Sequence, residues 1–264
     1  MEGAALPGRL IWHAARVVEI IDETPRVRTL VLHCPSWSGH LAGQHVDVRL
    51  TAEDGYQAER SYSIASGPGD DALQLTVERI DDGEVSPYLV GELHIDDELE
   101  IRGPIGGYFV WSRMRGGPLL LLGGGSGIVP LRSIMRQHAA VMSDAPVKLL
   151  YSVRTQREII YRKELDQFAA DGVDVKYTLT REHPDGWTGY RRRIDAEMLR
   201  EVAWPADERP LAYVCGPTAF VEHAATELVS LGYEPDRIKT ERFGPTNDSA
   251  AVDRAARANE SPIT

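Results

Sequence analysis

The chain has 264 residues, a length that suits two domains better than one. Hydrophobic residues make up 42% and charged residues 26%, which excludes a disordered or collagen-like chain. The net charge of −11 argues against nucleic acids and anionic membrane surfaces as partners, because no overall positive field attracts them. The longest apolar run, residues 118–122, is too short to span a bilayer, and the first residues lack a signal-peptide core. We therefore expect a cytoplasmic protein without membrane insertion.

Strand patterns dominate the first third of the chain. Alternating apolar and polar residues predict strands at 27–34, 45–50, 73–80 and 98–102, and one short helix fits at 87–92. Clusters of turn residues separate these strands at the spacing of a small antiparallel barrel. We predict an antiparallel Greek-key β-barrel over residues 1–115.

The pattern changes after residues 113–117. Apolar strands at 119–122, 147–153, 173–179, 211–215 and 238–243 alternate with amphipathic helices at 130–141, 159–170, 194–202 and 218–231. Such alternation predicts a doubly wound parallel α/β domain that binds a nucleotide, over residues 116–245. Residues 246–264 are polar and alanine-rich, and we interpret them as a loosely held tail.

A glycine-rich segment connects the first strand of this second domain to its first helix. It reads Gly123-Gly124-Gly125-Ser126-Gly127-Ile128, so Ile128 stands where the third glycine of a strict dinucleotide fingerprint would fall. Glycines at a strand-to-helix turn let backbone amides approach a pyrophosphate, and the helix N-terminus adds partial positive charge. The alternative is a tight turn that binds nothing.

Arginines follow the next two strands, where an NAD-specific fold carries an acidic residue for the ribose. Arg154 ends one strand, and Arg181 comes directly after Thr180 at the end of the next. Because a guanidinium binds phosphate bidentately, this pair favours a nucleotide with a 2′-phosphate, that is NADPH. The alternative is a solvated basic face.

The barrel contains two further candidate motifs. In the first, Arg60-Ser61-Tyr62-Ser63, Arg60 and Tyr62 share one face of an extended segment and Ser63 lies on the other. This could also be an ordinary strand with one exposed arginine. In the second, Gly83-Glu84-Val85-Ser86-Pro87, we expect Ser86 to cap a short helix that offers free amides to an anion.

Taken in order, these motifs resemble the ferredoxin–NADP reductase family over about residues 10 to 244. The resemblance rests on five segments: 60–66, 83–86, 123–130, Cys215-Gly216-Pro217 and Glu241-Arg242-Phe243. It implies an FAD-dependent enzyme that takes hydride from NADPH at flavin N5 and passes electrons singly to a separate acceptor. FAD and NADPH are the implied cofactors.

The resemblance also implies residue roles. It assigns catalysis to Ser63, Cys215, Glu241 and Phe243: Ser63 would lie near flavin N5, Cys215 beside the nicotinamide and Phe243 over the flavin. The implied cofactor-binding residues are Arg60, Ser61, Tyr62, Ser63, Gly83, Val85, Ser86, Gly124, Gly125, Ser126, Gly127, Arg154, Thr180, Arg181, Gly216 and Pro217. Among them, Arg60, Val85 and Ser86 would contact the FAD pyrophosphate, and Arg181 the 2′-phosphate.

The electron acceptor would be a separate protein, either ferredoxin, flavodoxin or a metalloenzyme component. Two cysteines cannot hold an iron–sulfur cluster, and no histidine pair has the spacing of metal ligands, so we expect no metal site. Arg132 with Arg136 is a candidate basic surface for an acidic acceptor, and we expect a monomer. The alternative function is a non-catalytic flavin-binding module for redox sensing or assembly.

Overall fold

The computed structural model describes residues 10–244, and residues 12–105 contain a six-stranded antiparallel sheet. Its strands run in the order β4-β3-β6-β1-β2-β5. An antiparallel bridge between Ile64 and Leu75 joins the outer strands and closes the sheet into a barrel. The strands are β1 (Trp12–Thr24), β2 (Val27–His33), β3 (His45–Thr51), β4 (Gln57–Ser63), β5 (Leu73–Glu78) and β6 (Glu98–Ile105).

Alternation along the strands forms the barrel core. In β3, Val46 and Val48 are fully buried whereas Asp47 and Arg49 on the opposite face are partly exposed. A short helix, α1 (Ser86–Gly91), adds Leu89 and Val90 to the same core. The predicted strands lie within one or two residues of the observed ones, except that β6 extends to Ile105.

A five-stranded sheet follows, with all strands parallel and in the order β11-β10-β7-β8-β9. Its strands are β7 (Leu119–Gly124), β8 (Val147–Val153), β9 (Asp174–Leu179), β10 (Leu211–Pro217) and β11 (Ile238–Phe243). The helices are α2 (Ile128–Ala140), α3 (Arg162–Ala170), α4 (Ala196–Val202) and α5 (Thr218–Ser230).

Both faces of this sheet are covered. Leu119, Leu121 and Leu149 face one apolar cluster with α2 and α3, whereas Leu120 and Leu122 face another with α4 and α5. Strands buried on both sides explain the near-continuous apolar runs in the sequence. The predicted fold class, a Greek-key barrel followed by a doubly wound parallel α/β unit, is confirmed.

Residues 106–118 connect the two sheets. The proposed domains, 1–115 and 116–245, would meet inside this connection, and these limits stay predictions. The predicted tail, residues 246–264, lies outside the described residues.

No group of three or more histidine, cysteine or acidic side chains in residues 10–244 could hold a metal ion. None of the described helices is both long and apolar enough to span a bilayer.

Helix α2 forms much of the contact between the two sheets. Arg132 is 5% exposed and bonds to Glu164 as well as to the barrel, and Arg136 is paired with both Glu164 and Asp70. The prediction that Arg132 and Arg136 form an open basic surface is therefore wrong. Both guanidiniums are neutralised at the domain contact.

Candidate functional site

The site begins in the barrel, at the end of β4. One Nη of Arg60 donates to the Glu84 carboxylate at 2.8 Å, and the Tyr56 hydroxyl donates to the same carboxylate at 2.7 Å. The fold thus brings Arg60 beside the loop at 83–86, although more than 20 residues separate them. A half-exposed cation next to the start of a short helix is a suitable place for a phosphate.

The loop before α1 is held by Ser86, but not as predicted. Ser86 is the first residue of α1, and Val85 occupies the N-cap without a side-chain hydrogen bond. The Ser86 hydroxyl instead accepts the backbone N–H of Ile80 at 3.0 Å. The expectation that Ser86 caps the helix is wrong, because its oxygen closes the turn that contains Gly83.

The neighbours of Arg60 in β4 point in different directions. The Ser61 hydroxyl donates to Asp47 at 2.6 Å, on a face where Arg102 also binds Asp47. Ser61 therefore lies in an exposed polar ladder rather than with Arg60. Tyr62 packs against the barrel core, and burial raises the pKa of its hydroxyl.

The second part of the site lies on the parallel sheet, where the register of neighbouring strands brings its residues together. Cys215 at the end of β10 pairs with Gly123 of β7 on one side and with Glu241 of β11 on the other. Two positions on, Pro217 pairs with Phe243. Cys215 is fully buried, and this burial together with the nearby Glu241 carboxylate raises the pKa of its thiol.

His45 joins the two halves. It pairs with Ser63 across β3 and β4, and its Nδ1 lies 3.9 Å from Glu241 Oε1. Ser63, His45, Glu241 and Cys215 thus form a continuous cluster across the domain contact. Burial lowers the pKa of His45 and raises that of Glu241 to about 7.

Two atoms of this cluster are buried without a protein partner. Ser63 Oγ and Glu241 Oε2 have no hydrogen-bond partner within residues 10–244. A buried polar atom without a partner costs free energy of about 1–3 kcal/mol, so such atoms mark places where a ligand can bind.

The glycine-rich turn is shaped by close backbone contact. A Cβ at Gly127 would lie 2.1 Å from the Cys215 carbonyl oxygen, and one at Gly216 would lie 2.9 Å from the Gly124 carbonyl oxygen. Gly125 has a φ of +55°, and its carbonyl accepts the Tyr151 hydroxyl at 3.0 Å. Ser126 is the middle residue of the single turn Gly125–Gly127. The β7–α2 and β10–α5 loops therefore touch without side chains between them.

The two candidate phosphate-binding arginines are neighbours at the same sheet edge. The Arg181 backbone N–H donates to the Arg154 carbonyl at 2.9 Å, and Thr180 bonds to Val153 in the same way at 3.0 Å. Neither guanidinium forms an ion pair within the part of the chain that the structure describes. Arg192, by contrast, pairs with Asp195 and Glu197 at the start of α4.

Three residues of the site were not predicted from the sequence: His45, Tyr151 and Phe220. Phe220 covers the glycine turn, since a Cβ at Gly124 would lie 3.0 Å from its ring. His45 and Tyr151 each stand in a strand with no local motif, so only their tertiary neighbours reveal them.

Comparisons with known proteins agree with this architecture. The family model for the oxidoreductase FAD-binding domain matches residues 14–110, and that for the oxidoreductase NAD-binding domain matches residues 121–226. The chain is 32% identical over 259 residues to the glycine betaine monooxygenase reductase subunit of Pseudomonas aeruginosa, covering 95% of this chain and 70% of that protein. It is 30% identical to the ferredoxin reductase component of the 3-ketosteroid-9-alpha-monooxygenase of Mycobacterium tuberculosis, covering 94% and 71%.

A solved structure shows the same arrangement. The FAD/NAD-binding domain of the nitric oxide dioxygenase from Vibrio cholerae superposes with a TM-score of 0.79 at 25% identity, covering 88% of this chain and 99% of that one. An FAD-binding barrel joined to an NAD-binding parallel sheet defines an NAD(P)H-dependent flavin oxidoreductase. The chain belongs to the ferredoxin–NADP reductase family, and the resemblance seen in its sequence is confirmed.

We predict that Gly127→Ala disrupts the glycine turn. The new methyl group would overlap the Cys215 carbonyl, so α2 or the end of β10 must move. We expect a loss of about 1–3 kcal/mol in the free energy of unfolding, the usual cost of overpacking, together with weaker nucleotide binding. Gly69→Ala is the control, because nothing lies within 4 Å of its Cβ. Equal denaturant midpoints for the two variants would contradict the prediction.

A second prediction concerns the ionisation of Glu241. Its pKa rises from 4.5 to about 7 on burial, so the folded protein holds a proton there that the unfolded chain releases. The resulting stabilisation is complete below about pH 4.5 and is lost as the pH rises to about 7. Over that range, the free energy of unfolding should fall in the parent relative to Glu241→Gln. A constant difference in chemical denaturation between the two proteins would show that Glu241 ionises normally.

Proposed function

We propose that this protein is an FAD-containing, NADPH-oxidising reductase component that delivers electrons one at a time to a separate acceptor protein. The observation that carries the proposal is the cluster of Ser63, His45, Glu241 and Cys215, which joins the two halves of the site. A cofactor on the barrel and a nucleotide on the parallel sheet could meet only there. The carboxyl edge of such a sheet is where nucleotides bind.

The barrel residues fit FAD. Arg60 and the turn at 83–86 offer a guanidinium and loop amides to a pyrophosphate, and Ser63 offers an unpaired hydroxyl to a polar ring edge. When bound, the flavin supplies the conversion of a two-electron donor into single electrons. Tyr62, held against the core, is available as an aromatic surface beside it.

The parallel sheet fits NADPH. The two glycine loops touch with no side chain between them, so a pyrophosphate can approach the backbone at the start of α2 closely. Arg154 and Arg181 lie side by side further along the same edge, where a 2′-phosphate would pair with both. Thr180, which precedes Arg181 and bonds to the Val153 carbonyl, completes this end of the site.

The cluster residues can orient the nicotinamide and exclude water. Cys215 and Phe243 lie on adjacent strands and provide a small and a large apolar surface. Glu241 can hold a proton at Oε2 near neutral pH and so can donate to a carboxamide as well as accept from one. Ser63 approaches from the barrel.

Relatives support an oxygenase or ferredoxin as the acceptor. The similar proteins from Pseudomonas aeruginosa and Mycobacterium tuberculosis are named as the reductase parts of monooxygenases. We propose that this chain is likewise a reductase component, with its acceptor on another polypeptide.

A non-catalytic flavin-binding module is the competing function, and anaerobic addition of NADPH separates the two functions. Bleaching of bound flavin supports the reductase, and unchanged absorbance supports the module.

We predict that Ser63→Ala and Cys215→Ala retain FAD but slow flavin reduction by NADPH. Reaction requires the nicotinamide and the flavin to approach within roughly 3–3.5 Å, and these side chains border that approach. We expect stopped-flow rates at least about tenfold lower, or about 1.4 kcal/mol on the barrier. The matched controls are Ser36→Ala and Cys34→Ala, which lie outside the cluster. Parent-like rates in both site variants, with only stability reduced, would make these residues structural.

The nucleotide preference gives a separate prediction. Arg181→Ala should weaken the use of NADPH by about 1.5–3 kcal/mol in kcat/KM, the range for a hydrogen bond to a charged group, and leave NADH nearly unchanged. Arg200→Ala, which removes an exposed arginine on α4, is the control. Equal losses with both nucleotides would show that Arg181 does not contact the 2′-phosphate.

A further inference from the structure

Arg132 is a charged side chain buried between the two domains. It projects from α2, and 6% of its side chain is exposed. Burying a guanidinium costs several kcal/mol unless each donor finds a partner. The partners of this guanidinium therefore show which interactions offset the cost of burying it.

The partners of Arg132 come from both domains. Nε donates to Glu164 of α3 at 2.7 Å, whereas one Nη donates to the Gln74 amide oxygen of β5 at 2.8 Å and to the Ala65 carbonyl at 3.3 Å. The guanidinium also stacks 4.3 Å over the ring of Tyr161. A planar fork with fixed donor directions can satisfy these partners in one relative orientation of the domains only.

Two further contacts support the same orientation. The Ser133 hydroxyl donates to the Ser66 carbonyl at 2.7 Å, one residue beyond the Ala65 carbonyl that Arg132 binds. The Tyr161 hydroxyl donates to Thr76 of β5, which in turn bonds to Thr29 at 2.8 Å. These groups are buried, so a shift of one domain would leave them unpaired.

The position of Arg132 in the chain links this contact to the site. Arg132 stands five residues after Gly127 of the glycine-rich turn, and its acceptor Ala65 stands two residues after Ser63. Short, hydrogen-bonded backbone connects each pair. The guanidinium therefore fixes the distance between the glycine-rich turn on the parallel sheet and Ser63 on the barrel.

We propose that Arg132 is a positioning residue for electron transfer from the nucleotide to the flavin. The inference rests on the proposed function, and it assigns Arg132 no contact with either cofactor. Arg132→Met leaves the Glu164 carboxylate paired with Arg136 at 2.6 Å, so no buried charge loses its only partner, whereas the directional bonds to the barrel are lost. Arg132 accordingly sets the rate of reduction rather than cofactor retention.

The test is anaerobic stopped-flow reduction of the FAD-loaded protein by NADPH. Arg132→Met should lower the limiting rate about tenfold or more, since small misplacements of reacting groups have such effects. FAD content and the NADPH concentration at half-maximal rate should stay within about twofold of the parent, because neither cofactor touches Arg132. Arg132→Lys should recover part of the rate. Arg162→Met, which breaks the exposed Arg162–Asp166 pair on α3, is the control and should match the parent.

A double-mutant cycle gives an independent test. Gln74→Met removes the side-chain acceptor of the barrel and keeps the Ala65 carbonyl. If Gln74 and Arg132 act through their shared bond, the double variant should lose less rate than the product of the two single losses. Ser133→Ala should lower the limiting rate in the same direction by a smaller factor.

The outcomes separate the two proposals. If NADPH does not reduce the parent flavin, the proposed function fails. If the parent is reduced but Arg132→Met matches it, the positioning role is overturned. If Arg132→Met loses FAD or fails to fold, then Gln74→Met and Ser133→Ala decide, and parent-like limiting rates in both overturn the inference.

Discussion

The buried polar contact between α2 and the barrel fixes how the two sheets face each other, and the site residues of one sheet take their position relative to those of the other from that contact. Neither sheet shares a strand with the other, so no backbone ladder sets their angle. Arg132, Ser133 and Tyr161 do so through side chains that must find their partners or remain unpaired in the interior. Apolar packing tolerates small slides, whereas directional bonds to named carbonyls do not.

The chemistry of the site follows from the same burial. Glu241 and Ser63 sit where water has little access, so each keeps an oxygen without a protein partner and the carboxyl group favours its protonated form. A site whose polar atoms lack hydrogen-bond partners binds a polar ligand more strongly than a hydrated site does, because the ligand has less water to displace. His45 on one domain and Glu241 on the other bring these groups together.

The sequence predicts the parallel sheet better than the barrel, for physical reasons. Strands buried on both faces are nearly continuous apolar runs, so β8 is predicted with its observed limits. By contrast, β1 was missed: register shifts near Val17 and Asp22 break its alternation, and many of its residues face solvent. The motif residues were recognised by family resemblance, whereas His45 and Arg132 depend on neighbours more than 60 residues away and carry no local signal.

The bridge between Arg60 and Glu84 has a consequence for how a phosphate could enter the barrel. Glu84 already neutralises the guanidinium, and hydrogen bonds from Tyr56 and Arg60 lower the pKa of its carboxyl group. An incoming pyrophosphate would therefore exchange one anion for another instead of meeting a bare cation. The gain in binding is then a difference between two ion pairs, and the protein without its ligand keeps a neutral, ordered turn. Such an internal competitor lowers the net contribution of Arg60 to cofactor affinity, so retention of the cofactor depends more on the contacts that have no competitor.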